Sequence, residues 1–197
     1  MDTLSRLPKK DQETFKQISR ALHFAKYYHG PTQRQSGVLY YTHPMEVAMH
    51  TMRYSKKPSV WIAALLHDVL EDSHATLEEI GIVFGTEVRE LVKRLSAVRF
   101  SSKKYKVKDA KEAFAPLFHA GPDAQLIKLC DRLHNLQTLD AMPIEKQRAK
   151  VQETLTFLVP LAEKIGQEDL AEALRELCGE YQNDWPEGLE EKIEKKK

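Results

Sequence analysis

The sequence predicts a single all-α domain, a helical bundle of about eight to ten helices. Apolar residues recur at intervals of three and four along most of the 197 residues, which is the spacing of amphipathic helices. No run alternates apolar and polar residues as a half-buried strand does, and there is no internal repeat or glycine-rich phosphate loop. No linker separates two cores. We therefore expect one domain over residues 1–182 and a charged C-terminal tail over residues 183–197.

Composition argues against several classes of protein. Hydrophobic residues make up 42% of the chain and charged residues 30%, and 30 basic against 29 acidic residues leave a formal charge of +1. This balance is typical of globular proteins and gives no global reason to expect nucleic-acid or membrane binding. Cys130 and Cys178 have no metal or redox spacing, so we expect two small buried side chains in a reducing compartment. Because the sequence shows no signal peptide or membrane span, we expect a cytoplasmic protein.

Caps and apolar periodicity indicate the first helices. The first helix ends near Gly30, and a polar, turn-rich loop runs from there to Tyr41. Thr42 opens the second helix. Pro58 opens a central helix, which we expect to continue without a break to Asp72.

Turn and cap signals place the remaining helices. Thr76 and Glu79 form a capping box for a short helix that ends at Gly85, and Thr86 begins the next one. The lysine-rich segment 99–111 is expected to be partly a surface loop that merges into another helix. The last three helices are expected at Ala124 to about Leu139, at Pro143 to Gly166 with a bend near Pro160, and from about Asp169 onward.

The most unusual stretch ends the central helix. The apolar residues 62–66 lead into His67, and three carboxylates, Asp68, Glu71 and Asp72, follow within five positions. In a continuous helix His67 would stack over Glu71, and Asp68 over Asp72. Like charges at this spacing repel each other, and carboxylates at a helix C-terminus oppose the helix dipole. A divalent cation among these groups is the economical explanation.

Two other places carry residues that bind metals. His43 stands at the start of the second helix, and Asp131 interrupts an apolar helix on which Asp131, Asn135 and Thr138 form one polar stripe. Together with His67 and Asp68 they would supply two imidazoles and two carboxylates. Such a set suits several divalent metals and selects none of them.

Each of these residues also has an ordinary explanation. His43 is also explained as a helix-start residue beside Pro44, and Asp131 as a surface partner of Lys128 or Arg132. A histidine–aspartate dipeptide in isolation is more often structural than catalytic. The two carboxylates that end the central helix would then serve only to solvate it.

The ordered combination of motifs resembles the HD-domain metal phosphohydrolases. More narrowly, it resembles the hydrolase module of the RelA/SpoT family, which removes the 3′-pyrophosphate of the alarmones ppGpp and pppGpp. The resemblance extends from about Phe24 to Leu139 and is carried by Arg34-x-Ser36-Gly37-x-x-Tyr40, His43-Pro44, Ala64-Leu65-Leu66-His67-Asp68-Val69-x-Glu71-Asp72, Thr76-Leu77-Glu78-Glu79-Ile80 with Phe84-Gly85, and Lys128-Leu129-x-Asp131-Arg132-Leu133-His134-Asn135-Leu136-x-Thr138-Leu139. Long members of the family continue into synthetase and regulatory domains, for which 197 residues leave no room. The chain is therefore more similar to the stand-alone small alarmone hydrolases.

The resemblance implies a role for each group of residues. One metal ion, usually Mn²⁺ in the family, would be bound by His43, His67, Asp68 and Asp131. Glu71 and Asp72 would orient and deprotonate the attacking water. The residues that would contact the nucleotide are Arg34, Gln35, Ser36, Asn135 and Thr138. The implied reaction converts (p)ppGpp to GDP or GTP plus pyrophosphate in stringent-response control, so the expected partner is a small nucleotide, with no nucleic acid or membrane and with the oligomeric state unknown.

Departures from the family pattern fall in the loop between residues 30 and 41. Gln35 stands where the family commonly has lysine, Val38-Leu39 where it has an acidic residue and proline, and Pro31-Thr32 where it has glycine and glutamine. These changes spare the metal ligands and bear on the choice between guanine and adenine.

Four interpretations therefore remain open. The leading one is alarmone hydrolysis, and the second is the same chemistry on another phosphorylated nucleotide, such as (p)ppApp or NADPH. The third is a non-catalytic nucleotide sensor with the HD fold, and the fourth is a helical scaffold whose site is accidental. The lysines at 103, 104 and 106 are by default a solvated surface, and we add the hypothesis that some of them approach the leaving pyrophosphate.

Overall fold

A computed structural model describes residues 8–34, 36–104 and 110–185, without the side chains of residues 72, 97–104, 110–113 and 184. The helices in chain order are α1 (Lys9–His29), α2 (Thr42–Tyr54), α3 (Pro58–Leu65), α4 (Val69–Asp72), α5 (Leu77–Phe84), α6 (Thr86–Lys104), α7 (Ala110–Phe118), α8 (Pro122–Gln137), α9 (Ile144–Glu153), α10 (Val159–Lys164) and α11 (Glu168–Asp184). Within these ranges the only strand-like pairing is an isolated antiparallel bridge between Gln33 and Leu39. The all-α prediction is confirmed.

The number of helices also agrees with the sequence. The described ranges hold eleven α-helical segments, and two pairs of them, α3 with α4 and α9 with α10, were each expected as one helix. Joining those pairs leaves nine, within the expected eight to ten. None of the helices in the described residues is long and apolar enough to cross a membrane.

Helix α3 forms the centre of the core. It packs against α1, α2, α6 and α8, and its residues Val60 and Ile62–Leu65 are almost completely buried. A helix surrounded by others has no solvated face, which explains why this segment is apolar on nearly all sides. Helices α2 and α8 also pack directly against each other. The three segments that carry the candidate ligands therefore meet at the core.

The central helix is broken, contrary to the sequence prediction. Helix α3 ends at Leu65, residues 66–68 form tight turns, and α4 begins at Val69. The Nδ1 of His67 lies 2.8 Å from the carbonyl oxygen of Ala64, the acceptor that residue 68 would use in a continuous helix. The backbone N–H of Leu66 donates at 3.1 Å to the carbonyl of Ala63, three positions back, and not to the carbonyl four positions back as in an α-helix. The expected stacking of His67 over Glu71 is therefore wrong, and the turn directs His67 inward.

The capping box between α4 and α5 is confirmed. The Thr76 hydroxyl accepts the Glu79 backbone N–H at 3.2 Å, and a Glu79 carboxylate oxygen accepts the Thr76 backbone N–H at 2.8 Å. The other carboxylate oxygen accepts the hydroxyl of Tyr28 at 2.9 Å. The cap thereby joins α5 to α1.

Where a bend was predicted near Pro160, the structure has a π-helical segment just before the proline. Helix α9 passes through a π-helical segment, residues 154–158, into α10. Proline has no N–H to donate to the carbonyl of the preceding turn, and the wider π turn accommodates this loss. Gly166, with a φ of 73°, then ends α10 as expected.

Three other boundaries differ from the sequence expectation or lie outside the structure. Helix α8 ends at Gln137, and a 3₁₀ turn follows at Leu139–Ala141. The segment 99–111 is more helical than expected, since α6 continues to Lys104. Residues 105–109 and residues 186–197 of the expected tail lie outside the described residues.

Arg132 connects α8 to the C-terminal helices. Its Nη1 donates to the carbonyl oxygen of Lys150 at 2.9 Å and to the hydroxyl of Thr154 at 3.2 Å, and its Nη2 donates to Glu153 at 3.0 Å. The residue is only 7% exposed. These bonds hold the helix that carries Asp131 against the π turn. The surface pairing with Arg132, one of the ordinary explanations of Asp131, is not seen, because Arg132 bonds to the C-terminal helices instead.

Replacing Arg132 by Met is expected to lower the free energy of unfolding by about 2–3 kcal/mol, because hydrogen bonds of a buried charged group are lost. The same change at Arg175, whose partners Glu163 and Glu172 are exposed, should cost less than about 1 kcal/mol. Urea denaturation of both variants measures the difference. Equal losses would show that Arg132 is not a structural anchor.

Candidate metal centre

Four side chains from three parts of the chain converge at the end of α3. His43 comes from the start of α2, His67 and Asp68 from the turn between α3 and α4, and Asp131 from the middle of α8. All four residues are at most 5% exposed. The sequence had proposed these four as one set, and the structure brings them together.

The distances between their polar atoms suit a single cation. His43 Nε2 lies 3.1 Å from Asp131 Oδ1 and 3.8 Å from Asp68 Oδ2. His67 Nε2 lies 3.2 Å from Asp68 Oδ2 and 3.8 Å from Asp131 Oδ1. Two ligand atoms bound to one ion at about 2.1 Å are about 3.0–3.4 Å apart. The two shorter distances match this range, and the two of 3.8 Å exceed it. Ligand atoms of His43, His67 and Asp68 all lie within 4.8 Å of one another, and Asp131 adjoins them through His43, so the donor set is suited to a divalent metal ion.

The orientation of His67 supports the same conclusion. Its Nδ1 donates to the Ala64 carbonyl oxygen, which fixes the ring and leaves Nε2 directed at the two carboxylates. This Nε2 is buried and lies 3.2 Å from Asp68 Oδ2, without a well-formed hydrogen bond among the described residues. A metal ion placed between these atoms would satisfy both of them.

The charges of the cluster attract a cation. Burial alone would lower the pKa of His67, but the carboxylates of Asp68 and Asp131 raise it to about 9. Burial alone would raise the pKa of Asp68, yet the neighbouring His67 holds it well below its usual range. The cluster thus favours any positive charge placed among these atoms.

Lys128 completes the charge balance on the other side of Asp131. Its ammonium donates to Asp131 Oδ2 at 2.5 Å, which leaves Oδ1 to face the two imidazoles. Burial alone would lower the pKa of Lys128, and the charges of Asp131, Asp68 and Glu71 raise it instead. The sequence had offered this ion pair as a surface alternative. The pair exists, but Asp131 is buried, so the pair belongs to the cluster.

Tyr40 is a residue to which the sequence assigned no role. Its hydroxyl donates to Asp68 Oδ2 at 2.9 Å, and its ring packs against the ring of His29 at a centroid distance of 4.8 Å. The only signal in the sequence was its place in the motif that begins at Arg34. Hydrogen bonds of this kind orient a ligand and reduce its freedom to rotate.

The loop between α1 and α2 folds back on itself and places Arg34 beside α8. Backbone N–H groups of Arg34 and Tyr40 donate to the carbonyls of Val38 and Thr32, both at 2.8 Å. Gly37, with a φ of 81°, makes the turn between them. The side chain of Arg34 can therefore reach the polar stripe of α8.

Arg34 makes a forked contact with two neighbouring residues of α8. Its Nη2 donates to Asn135 Oδ1 at 2.9 Å, and its Nη1 lies 3.4 Å from Nδ1 of His134. Asn135 in turn donates from Nδ2 to Asp131 Oδ1 at 2.6 Å. The predicted nucleotide-binding residues Arg34 and Asn135 are thus in contact with each other and with the metal cluster.

Of the three other residues predicted to contact the nucleotide, the structure describes two. Ser36 is exposed in the loop, and the hydroxyl of Thr138 donates to the carbonyl of His134 at 3.2 Å, just beyond the end of α8. Gln35 lies outside the described residues. The lysines at 103 and 104 are described only in their backbone and Lys106 is not described, so the hypothesis about them has no structural test.

The predicted catalytic carboxylates follow the cluster on α4. The backbone N–H of Glu71 donates to the Asp68 carbonyl at 3.0 Å, and the Oε2 of Glu71 is buried. The charge of Glu71 is among those that raise the pKa of Lys128. Asp72 is on the same helix, and its side chain is outside the described residues.

Together, the fold and the site define a class of protein: an all-α domain with a buried cluster of two histidines and two aspartates. Residues 21–168 match the family model of the HD domain. The chain belongs to the HD-domain family. Divalent metal binding is what this family implies, and the geometry of the cluster agrees with it.

Curated relatives are considerably longer than this chain. A protein of Brucella ovis named GTP pyrophosphokinase rsh is 35% identical over 169 residues, which cover 84% of this chain and 22% of the relative. Proteins named guanosine-3′,5′-bis(diphosphate) 3′-pyrophosphohydrolase from Spiroplasma citri and Aquifex aeolicus are 32% and 36% identical over 85% and 90% of this chain. The chain spans only 23% and 25% of those two proteins.

A solved structure has the same fold. It is described as a metazoan ortholog of SpoT that hydrolyzes ppGpp and plays a role in starvation responses. The TM-score is 0.64 at 23% identity, with 82% of this chain and 93% of the other chain covered. At this identity the likeness establishes the fold alone.

Proposed function

We propose that this chain hydrolyses the 3′-pyrophosphate of guanosine alarmones, converting (p)ppGpp to GDP or GTP and pyrophosphate in the control of the stringent response. The observation that carries the proposal is the convergence of His43, His67, Asp68 and Asp131 beside Glu71. Two relatives that are more than 30% identical over most of this chain bear the name of this activity. Residues 1–182 form the proposed catalytic unit.

The proposed ligands of the metal are His43, His67, Asp68 and Asp131, and the proposed ion is Mn²⁺. A divalent ion bound there would act as a Lewis acid that lowers the pKa of water and neutralises phosphoryl oxygens. Two imidazoles and two carboxylates accept Mn²⁺ as well as several other divalent ions. The preference for Mn²⁺ rests on the family resemblance.

Glu71 and Asp72 are proposed to orient the attacking water and accept its proton. A general base works best when a low-dielectric site positions it within hydrogen-bond reach of the water. The buried Oε2 of Glu71 lies on the helix that directly follows the cluster. The charge of Glu71 is among those that raise the pKa of Lys128, after the charges of Asp131 and Asp68.

The nucleotide is proposed to lie between the α1–α2 loop and the end of α8. Arg34, Gln35 and Ser36 would contact the base region, and Asn135 and Thr138 the sugar and its phosphates. The guanidinium of Arg34 suits a phosphate or a base edge because it offers several donors in a fixed plane. Its bond to Asn135 supports a shared pocket for these contacts.

A panel of nucleotides assayed with Mn²⁺ tests the proposal. We expect pyrophosphate to be released from ppGpp and pppGpp faster than any product from ppApp or NADPH. Gln35 in place of the family's usual lysine supports a second candidate, the same chemistry on an adenine nucleotide. Turnover of ppApp or NADPH with indifference to ppGpp would replace the first proposal by the second. Binding of all four without turnover would favour the sensor.

A further inference from the structure

His134 lies between the residue proposed to hold the nucleotide and a proposed metal ligand. Its Nδ1 is 2.7 Å from Nδ1 of His43 and 3.4 Å from Nη1 of Arg34. The rings of His134 and His43 are 4.9 Å apart between centroids. The sequence assigned no role to His134.

The two partners of His134 Nδ1 decide whether this nitrogen donates or accepts a hydrogen bond. Arginine can only donate, so the atom of His134 that faces Arg34 must accept. If His134 Nδ1 accepts, then His43 Nδ1 must carry the proton of the 2.7 Å bond. His43 then presents the lone pair of its Nε2, which lies 3.1 Å from Asp131 Oδ1. The contact with Arg34 therefore favours, through His134, the tautomer of His43 that can bind a metal.

The two proposed histidine ligands are supported in different ways. His67 donates its Nδ1 proton to a backbone carbonyl, which is a fixed part of α3. His43 faces a side chain that also faces the proposed nucleotide loop. The second arm of the Arg34 fork reaches Asp131 through Asn135. Arg34 thus connects the nucleotide loop to His43 and Asp131, while the hydroxyl of Tyr40 connects the same loop to Asp68 at 2.9 Å.

We propose that His134 is a positioning residue that orients His43 toward the metal and couples Arg34 to the metal centre. The inference rests on the proposed function, because it takes His43 as a metal ligand and Arg34 as a nucleotide contact. Thermodynamic linkage makes such coupling reciprocal, so metal and nucleotide should each raise the affinity for the other.

Metal affinity measured on the purified full chain tests the proposal without any substrate. Mn²⁺ is titrated calorimetrically into metal-free protein. His134→Phe should raise the Kd for Mn²⁺ about 10–100-fold, the usual effect of removing a partner of a ligating histidine. His134→Asn, which keeps an acceptor close to the position of Nδ1, should recover most of that loss. Thermal unfolding of the metal-free proteins shows whether each variant is folded.

His50→Phe is the matched control. His50 is a buried histidine of α2, the helix that carries His43, and its ring lies 6.4 Å from the ring of His134. Its hydrogen bond is made to Gln137, at 3.0 Å. Its replacement should leave the Kd for Mn²⁺ within about twofold, while an equal loss in both variants would indicate general damage to the packing and overturn the proposal.

Arg34→Met tests the coupling. It should weaken Mn²⁺ binding several-fold in wild-type protein and have little further effect in His134→Phe. Independent effects of the two changes would overturn the coupling. Arg34 lies in the loop outside the helices, so the single variant Arg34→Met remains a test if His134→Phe does not fold, and an unchanged Kd for Mn²⁺ in that variant would overturn the coupling.

The outcomes separate the inference from the proposed function. A wild-type chain that binds no Mn²⁺ refutes the proposed metal centre. A wild type that binds Mn²⁺ and hydrolyses ppGpp, with His134→Phe binding the ion equally well, refutes the role of His134 and leaves the function in place. A tenfold loss that His134→Asn restores supports the positioning role.

Discussion

Replacing Asp131 by Asn is expected to abolish measurable Mn²⁺ binding and to lower kcat/KM for ppGpp about a thousandfold or more. The substitution keeps the shape of the side chain and removes its charge. Asp131 Oδ1 faces both imidazoles, and Lys128 occupies Oδ2. A metal ion contributes several kcal/mol of transition-state stabilisation, and each 1.4 kcal/mol is about tenfold in rate.

Asp123→Asn is the control for this prediction. Asp123 belongs to the first turn of the same helix and also pairs with a lysine, since Lys57 Nζ lies 2.8 Å from its Oδ2. That pair is exposed to solvent, so the change should leave Mn²⁺ affinity and kcat/KM within about twofold. If both variants lost activity equally, charge on α8 in general, and not the cluster, would be responsible.

Removal of the metal should reproduce the effect of Asp131→Asn in the wild-type protein. Dialysis against a chelator is expected to abolish hydrolysis, and added Mn²⁺ is expected to restore it. Chelator-treated protein that hydrolyses ppGpp at the original rate would refute the metal centre.

Most of the fold followed from local patterns in the sequence. Apolar residues at helical spacing, the capping box at Thr76 and the glycines at 85 and 166 act within one turn of the chain, so their effects could be read from neighbouring residues. The break after Leu65 could not be read in this way. It depends on the side chain of His67, which donates to a backbone carbonyl and turns toward Asp131 on a helix far along the chain.

The candidate site was recovered from the sequence to a similar extent. Histidine and aspartate can be recognised as metal-ligand types from the sequence alone, which pointed to His43, His67 and Asp131. The order of the motifs then linked them. Lys128 was considered only as a surface partner of Asp131, because the sequence does not show that Asp131 is buried. His134 was passed over, because its hydrogen-bond partners are 91 and 100 positions away and leave no local signal.

Glu71→Gln separates catalysis from binding. We expect kcat for ppGpp to fall about 10²–10⁴-fold, the range typical of a lost general base. The amide keeps the size of the carboxylate but cannot take a proton at neutral pH. The affinities for Mn²⁺ and for ppGpp should stay within a few-fold of wild type, because Glu71 is proposed to act on the water and not on the metal. Asp72→Asn is expected to act in the same direction.

Glu78→Gln provides the comparison, since Glu78 is an exposed carboxylate seven residues further along the chain on α5. It should leave kcat unchanged, as measured by release of pyrophosphate at saturating ppGpp. A fall in kcat with retained binding in Glu71→Gln means that the carboxylate serves the chemical step, which a nucleotide sensor does not need. Unchanged turnover and binding in both Glu71→Gln and Asp72→Asn would remove the catalytic role from α4. The cluster would then be a binding site whose purpose is to register the nucleotide and not to cleave it.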